Sequence, residues 1–175
     1  LHCERQSSGG RPHLEVQGLM EIEFELCQRE RLPIVLLRIA VESLERIAPM
    51  RERQDELLRG LVDVLRSYPR SADLYAYREG ATIVVLLPRA TIEAAELMCR
   101  LLIEAARKLV LPGAKAVQRV SLSIGLAEAQ PDVDLYFETL SRVADEGVMV
   151  ASANGSECFV HTQLYGLYQR KLERE

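Results

Sequence analysis

Apolar residues along the chain alternate between strand-like runs and helix-like spacing, and this alternation predicts the fold class. Short apolar and β-branched runs, typical of buried strands, occupy residues 34–41, 73–77, 81–87, 117–126 and 158–160. Helical spacing covers residues 14–31, 43–68, the stretch after Thr91, 133–153 and 162–175. Strands that alternate with helices, with one tight hairpin among them, predict an α/β (α+β) domain. Its centre is a mixed five-stranded sheet flanked by helices.

Single residues refine the ends of these elements. Ser43 and Thr91 are placed to cap helices, and Pro49 interrupts the helix that follows Ser43. The hairpin is expected to turn at Arg78-Glu79-Gly80, and Asn154-Gly155 to end a helix with a left-handed residue. The first helix is expected to bury a stripe with Phe24 outside it; the stripe consists of Leu19, Ile22, Leu26 and Cys27.

Length and composition define one domain with flanking segments. The 175 residues, 48% apolar and 27% charged, are typical of a soluble globular protein. We expect a linker at 1–13, the domain at 14–161 and a helical extension at 162–175. Because the chain begins with Leu1, we also expect it to be a piece of a longer protein. A net charge of −4 argues against nucleic-acid binding. No apolar run reaches the roughly 20 residues of a membrane span. No signal peptide is expected, because residues 1–13 lack an apolar core.

The cysteines and histidines indicate the compartment and argue against a metal cluster built on them. Cys27, Cys99 and Cys158 lie among apolar neighbours, as reduced thiols do, with no CxxC spacing. This favours the cytoplasm, including the cytoplasmic part of a membrane protein. The three histidines lack the spacing of metal ligands, so neither a metal nor another cofactor is expected.

Three strings in order carry a resemblance to a known family. They are the hairpin Ala76-Tyr-Arg-Glu-Gly-Ala-Thr-Ile-Val-Val-Leu-Leu-Pro88, the strand Ser121-Leu-Ser-Ile-Gly125-Leu-Ala, and the helix end Ala144-Asp-Glu-Gly-Val-Met-Val-Ala-Ser-Ala-Asn-Gly155. Together they resemble the GGDEF family, the diguanylate cyclases that join two GTP molecules into cyclic di-GMP. The resemblance covers roughly residues 14–161 and implies a nucleotidyl-cyclase-like sheet.

The family's catalytic residues do not carry over. The five signature positions fall on residues 79–83, so Ala81 and Thr82 stand where members hold a divalent metal with carboxylates. The family's partner metal aspartate falls on Ala40, although Glu42 lies two residues on and faces the same side by strand alternation. Because phosphoryl transfer depends on metal-assisted charge neutralisation, the resemblance implies a domain without catalytic activity.

The substrate-binding positions of the family are also altered. Its phosphate-contacting lysine falls on Ser152, and its guanine-selecting asparagine falls on Ala48. Asp55 matches the guanine-reading aspartate only if two residues are deleted. Its alternative role is a solvated carboxylate near the start of a helix.

One binding motif of the family is present. Many members carry an inhibitory product site, R-x-x-D, five residues before the signature, and Arg70 and Asp73 stand at that spacing. A guanidinium donates to guanine O6 and N7, and a carboxylate accepts from the ring N–H and amine on the other edge. A local surface ion pair, worth about 0–1 kcal/mol, is the alternative interpretation of the pair.

Two further arginines are candidates for the same site. The family adds an arginine from the helix after the hairpin, often from a neighbouring subunit, and Arg100 lies one residue from that position. Arg78 directly precedes the expected turn and is a second candidate. A solvated helix arginine and a cross-strand surface charge are the respective alternatives.

The resemblance and the motif together give a functional expectation. We expect a catalytically inactive cyclic di-GMP receptor within a larger bacterial signalling protein, with a second copy or another domain as its partner. The alternative is a structural, dimerisation or protein-interaction module that binds no nucleotide.

Overall fold

Ten helices and strands make up the described part of the chain. The computed structural model describes residues 12–68, 74–109, 119–131 and 133–162. The elements in chain order are α1 (Pro12–Arg29), β1 (Ile34–Val41), α2 (Leu44–Ile47), α3 (Arg51–Arg66), β2 (Tyr75–Glu79), β3 (Thr82–Pro88), α4 (Ile92–Lys108), β4 (Leu122–Ala129), α5 (Phe137–Ala153) and β5 (Cys158–Thr162).

The five strands form one mixed sheet in the order β2-β3-β1-β4-β5. All neighbouring pairs are antiparallel except β4 and β5, which run parallel. The first strand in sequence is therefore the central one, and β2 pairs with β3 at one side of the sheet. This arrangement confirms the predicted fold class of a mixed five-stranded sheet with a hairpin, flanked by helices.

Each face of the sheet carries its own hydrophobic core because successive side chains of a strand point to opposite sides. From β1, Val35, Leu37 and Ile39 pack with α3 and α4. Ile34 and Leu36 pack on the other face with α1 and α5. The long apolar run of β1 is explained by this burial on both faces.

The buried face of α1 differs from the predicted one. Met20, Phe24 and Cys27 are buried, whereas Leu19 is 49% and Ile22 is 56% exposed. The Phe24 ring lies 5.7 Å from the ring of Phe137 in an edge-to-face arrangement, so the residue expected outside the stripe is part of the core. The expected stripe was wrong for Leu19, Ile22 and Phe24, whereas Cys27 is buried as expected. Both sets of residues have helical spacing, and only packing against the sheet distinguishes them.

The two helix caps predicted from the sequence have different outcomes. Thr91 Oγ1 accepts a hydrogen bond from the Ala94 amide at 3.4 Å, which confirms the cap of α4. Ser43 precedes α2 in the left-handed conformation (φ 53°) and makes no side-chain cap bond, so that prediction was wrong. Gly155, at φ 96° after α5, confirms the left-handed helix end.

These caps give a matched pair of stability predictions. We expect Thr91→Ala to lower the free energy of unfolding by about 0.5–1 kcal/mol, because an amide of the first turn of α4 loses its acceptor. Ser43→Ala removes the same hydroxyl where it caps nothing and should change stability by less than about 0.5 kcal/mol. Urea denaturation of both variants checks this, and equal losses would contradict the assignment of Thr91.

The start of α5 and the position of the hairpin turn differ from the predicted ones because of contacts between elements. We expected a helix from Val133, but α5 begins at Phe137. The Gln28 side chain of α1 donates to the Val133 carbonyl and accepts from the Leu135 amide, and these contacts hold the segment before α5 outside the helix. The hairpin turns at Gly80-Ala81, with Glu79 paired to Thr82, so Arg78 and Glu79 belong to β2 and not to the turn.

The predicted flanking segments lie almost wholly outside the described residues. The domain is slightly longer than predicted at both ends. Its first helix, α1, begins at Pro12 instead of residue 14, and its last strand, β5, ends at Thr162 instead of before it. The predicted start of the fourth strand at Val117 also lies outside the described residues, and β4 begins at Leu122. Within the described ranges, no helix combines the length and apolar character that crossing a membrane requires.

Candidate functional site

The hairpin turn lies beside the carboxyl end of the central strand. Gly80 adopts φ 61°, which a glycine accepts without strain and which the two-residue turn requires. Thr82 pairs with Ala40 of β1, and Ala40 pairs on its other side with Ser123 of β4. The three residues form a row across the sheet at the position where the resemblance places the family's metal ligands.

The row presents a methyl group and two hydroxyls, with the carboxylate of Glu42 beside it and Glu79 of β2 paired to Thr82. Ser123 Oγ donates to Glu42 Oε1 at 2.5 Å, which puts the Glu42 side chain on the same face as the row. Hard divalent cations bind several carboxylate and carbonyl oxygens. Among the residues that the structure describes, no group of three or more histidine, cysteine, aspartate or glutamate side chains is placed to hold a metal ion.

The predicted pair Arg70 and Asp73 lies in the segment 69–73, outside the described residues. Its two ends are described. Tyr68, after α3, and Leu74, before β2, both pack against the core on the α3–α4 face. Burial raises the pKa of the Tyr68 hydroxyl. The segment therefore connects the end of α3 to the edge strand β2 between two anchored residues.

Arg78 lies on β2 and joins the hairpin to α3. Its Nη1 forms an ion pair with Asp55 Oδ1, and its Nε donates to the Gly80 carbonyl at 2.7 Å. Asp55 lies near the start of α3 with its side chain 38% exposed, and packing of α3 against the sheet adds the arginine as a partner that the sequence did not predict. The suggested ligand contact of Arg78 stays a prediction, and a ligand would have to compete with Asp55 for its guanidinium.

Arg100 lies on the outer side of α4, with its side chain 63% exposed. Its Nη2 is 3.5 Å from Glu96 Oε2, and its guanidinium carbon is 5.5 Å from the centre of the Phe159 ring. It lines an open groove of about 380 Å³ between α4 and β5 that also includes Arg107 and Glu157. The exposed guanidinium is accessible to a ligand held by another subunit, as the prediction for Arg100 requires.

The sequence analysis missed a second ion cluster, centred on Arg38 of β1. Its Nη1 donates to Glu79 Oε2 at 2.5 Å, its Nη2 donates to Ser141 Oγ at 2.8 Å, and its Nε lies 3.1 Å from Asp145 Oδ1. Burial raises the pKa of the Asp145 carboxyl, and the neighbouring Arg38 opposes this rise. The available signal was the single charge in the otherwise apolar strand sequence IVLLRIAV.

Comparison with known proteins identifies the class. A family model described as "Diguanylate cyclase, GGDEF domain" matches residues 15–158, most of the chain. The chain therefore belongs to the GGDEF family, whose members are normally diguanylate cyclases and act in bacterial cyclic di-GMP signalling.

Solved structures of low sequence identity share the fold. The active GGEEF domain of a diguanylate cyclase from Vibrio cholerae has a TM-score of 0.74 at 16% identity, covering 86% of this chain and 95% of that one. The GGDEF domain of DgcB from Caulobacter crescentus, in complex with c-di-GMP, has a TM-score of 0.71 at 14% identity and covers 91% and 98%. The FimX GGDEF domain from Pseudomonas aeruginosa has a TM-score of 0.72 at 17% identity and covers 90% and 99%.

Proposed function

We propose that this chain is a catalytically inactive GGDEF domain that binds cyclic di-GMP through Arg70 and Asp73. The observation that carries the proposal is the R-x-x-D spacing five residues before Glu79, in a chain that belongs to the GGDEF family. The domain would act in the cytoplasm as one module of a larger bacterial signalling protein. Its ligand is cyclic di-GMP, and no resident cofactor is needed.

The chemistry of the two side chains suits guanine. The Arg70 guanidinium can donate two parallel hydrogen bonds to O6 and N7, or to phosphate oxygens. The Asp73 carboxylate can accept from the ring N–H and the exocyclic amine. Cyclic di-GMP presents two guanines and two phosphates. A stacked pair of the dinucleotides therefore offers enough groups to bridge this domain and a second copy or domain.

The surroundings of the turn support the proposed loss of catalysis. Ala81 and Thr82 provide no carboxylate at the turn, and Ala40 provides none on the central strand. Of the acids beside these positions, Glu42 accepts a hydrogen bond from Ser123, and Glu79 forms an ion pair with Arg38. These residues do not fit the divalent metals on which phosphoryl transfer depends, so we derive no reaction step at this site.

The two positions at which the family contacts the nucleotide also support the proposed loss of catalysis. Ala48, at the position of the guanine-selecting asparagine, is fully buried and has no polar side-chain atom. Ser152, at the position of the phosphate-contacting lysine, is exposed and uncharged at the end of α5. These two positions therefore provide neither the amide nor the cation with which members of the family hold GTP.

The ligand class also has support from a relative with the same fold. The DgcB domain was solved in complex with c-di-GMP. Since that likeness shows the fold alone, the assignment to this chain depends on Arg70 and Asp73. Arg100 is the candidate for a contact from a second copy, because its guanidinium is 63% exposed although it contacts Glu96 and the Phe159 ring.

Calorimetric titration of the chain with cyclic di-GMP tests the proposal. We expect saturable binding, and no cyclic di-GMP formed from GTP with Mg²⁺ or Mn²⁺. Absence of binding at high micromolar ligand would favour the structural or protein-interaction module instead. Product formation from GTP would contradict the proposed inactivity.

A further inference from the structure

Arg38 is an unusual residue for its place in the fold. It lies on the central strand β1, between β3 and β4, and its side chain is only 13% exposed. Arginine is rarely buried in such a position unless its charge is paired. Replacing it with an apolar residue would extend the hydrophobic core, so its presence requires an explanation from the groups that it contacts.

The guanidinium contacts two elements that come from different parts of the chain. One end donates to Glu79, the last residue of β2, two strands away from β1. The other side contacts Ser141 and Asp145, which lie one turn apart on α5. We name these four residues the Arg38 clamp. A single side chain thus joins the edge hairpin to the helix on the same face of the sheet.

The neighbouring strand leaves room for this arrangement. Gly125 of β4 pairs directly with Arg38, and the α5 backbone passes so close that a Cβ at this position would lie 1.9 Å from the Ala144 carbonyl oxygen. Because no side chain separates β4 from α5, the helix comes within reach of the guanidinium. The geometry of β4 and α5 therefore sets the distance that Arg38 spans.

Charge explains why the clamp holds both elements. A largely buried guanidinium that loses one carboxylate partner still bears the cost of leaving water and loses part of the attraction that offsets it. Glu79 and Asp145 are each about half exposed, at 49% and 50%, so either could leave toward water if Arg38 did not hold it. Arg38 is the only contact through which these two carboxylates are joined in the described structure.

The position of Glu79 connects the clamp to the proposed ligand site. In the sequence, Leu74 alone separates the segment 69–73 from β2, and Glu79 is the last residue of this short strand. Arg78, on the opposite face of β2, ties the same end to α3 through Asp55. On the other face, the Arg38 clamp joins this end of β2 to α5 by charge, and Tyr77 of β2 shares a hydrophobic core with α5.

We propose that Arg38 is a positioning residue that couples the hairpin to α5, so that a displacement of β2 is transmitted to the helix. The identity of the displacing ligand rests on the proposed function, whereas the coupling is a property of the ligand-free chain. Ligand bound before β2 would then change the packing of α5, a route by which the domain signals to its neighbours.

Hydrogen exchange of the ligand-free chain, followed by mass spectrometry, tests the coupling. In Glu79→Gln we expect exchange of the α5 amides 141–149 to become at least about threefold faster, together with that of 75–79, because the clamp no longer opposes local opening. The matched control is Arg142→Met. It removes an arginine of α5 whose ion pair in the described structure is with Glu146 of the same helix, so exchange in 75–79 should not change.

The dependence on Arg38 separates coupling from a general loss of stability. In Arg38→Met, exchange should rise in both elements, and adding Glu79→Gln should increase it no further. If Arg38→Met does not fold, the comparison of Glu79→Gln with Arg142→Met decides alone. Unchanged α5 exchange in Glu79→Gln, or the same two-element pattern in Arg142→Met, would overturn the proposal.

A second set of hydrogen-exchange measurements is made in the presence of cyclic di-GMP. Protection gained at 75–79 should extend to 141–149 in the wild-type chain and remain at the hairpin in Glu79→Gln. Protection of α5 in both chains would overturn transmission through the clamp. If the wild-type chain binds no ligand, the proposed function fails, and the ligand-free comparison still decides whether Arg38 couples the two elements.

Discussion

Gly125→Ala is expected to destabilise the domain by about 3 kcal/mol or more, a large share of the roughly 5–15 kcal/mol that holds a typical domain folded. The added methyl carbon would lie 1.9 Å from the Ala144 carbonyl oxygen and 2.6 Å from the Val148 amide nitrogen. Both are backbone atoms, so no side chain can rotate away. The whole of α5 would have to move from the sheet, and urea denaturation measures the cost.

Gly18→Ala is the matched control for this prediction. Gly18 lies inside α1, and a Cβ there would meet nothing within 4 Å. Alanine favours the helix over glycine, so this variant should gain about 0.5–1 kcal/mol of stability. A Gly125→Ala chain that unfolds at the same urea concentration as the wild type would contradict the close packing of β4 and α5.

Arg70→Ala is expected to weaken cyclic di-GMP binding by at least about 100-fold, if the proposed site is correct. Charge-assisted bidentate hydrogen bonds to guanine or phosphate account for about 3 kcal/mol or more, and 1.4 kcal/mol corresponds to a factor of ten. Calorimetric titration of the variant against the wild-type chain measures the loss.

The control for Arg70→Ala is Arg66→Ala. Arg66 is an exposed residue at the end of α3, four positions earlier, and its ion pair with Asp63 lies within the helix. The substitution changes the net charge by the same amount as Arg70→Ala but lies outside the proposed site. The affinity of this variant for cyclic di-GMP should therefore remain close to that of the wild type. An equal loss in both variants would show general charge attraction, and unchanged affinity in Arg70→Ala would refute the site.

The fold was largely predictable because its strands and helix ends have local signals. The apolar run of β1, the Thr91 cap and the Gly155 helix end depend on residues close in sequence, and the structure agrees with them. The buried face of α1 was not predictable in this way. Leu19 and Phe24 both fit a helical period, and the choice between them is made by contacts with the sheet and with α5.

The ion pairs near the hairpin could not be predicted from the sequence either. Arg78 meets Asp55 across 23 residues of sequence, and Arg38 meets Glu79 across 41. No spacing rule links such pairs, since strand order and helix packing bring them together. Arg70 and Asp73 could be proposed from sequence only because their position relative to the hairpin matches a family motif.

A crystal structure of the chain grown with cyclic di-GMP tests the central claim most directly. The account predicts a dinucleotide whose guanine or phosphate oxygens accept from the Arg70 guanidinium, with Asp73 at the opposite guanine edge. Arg70 and Asp73 bonded to each other, with no dinucleotide beside them at saturating ligand, would contradict it.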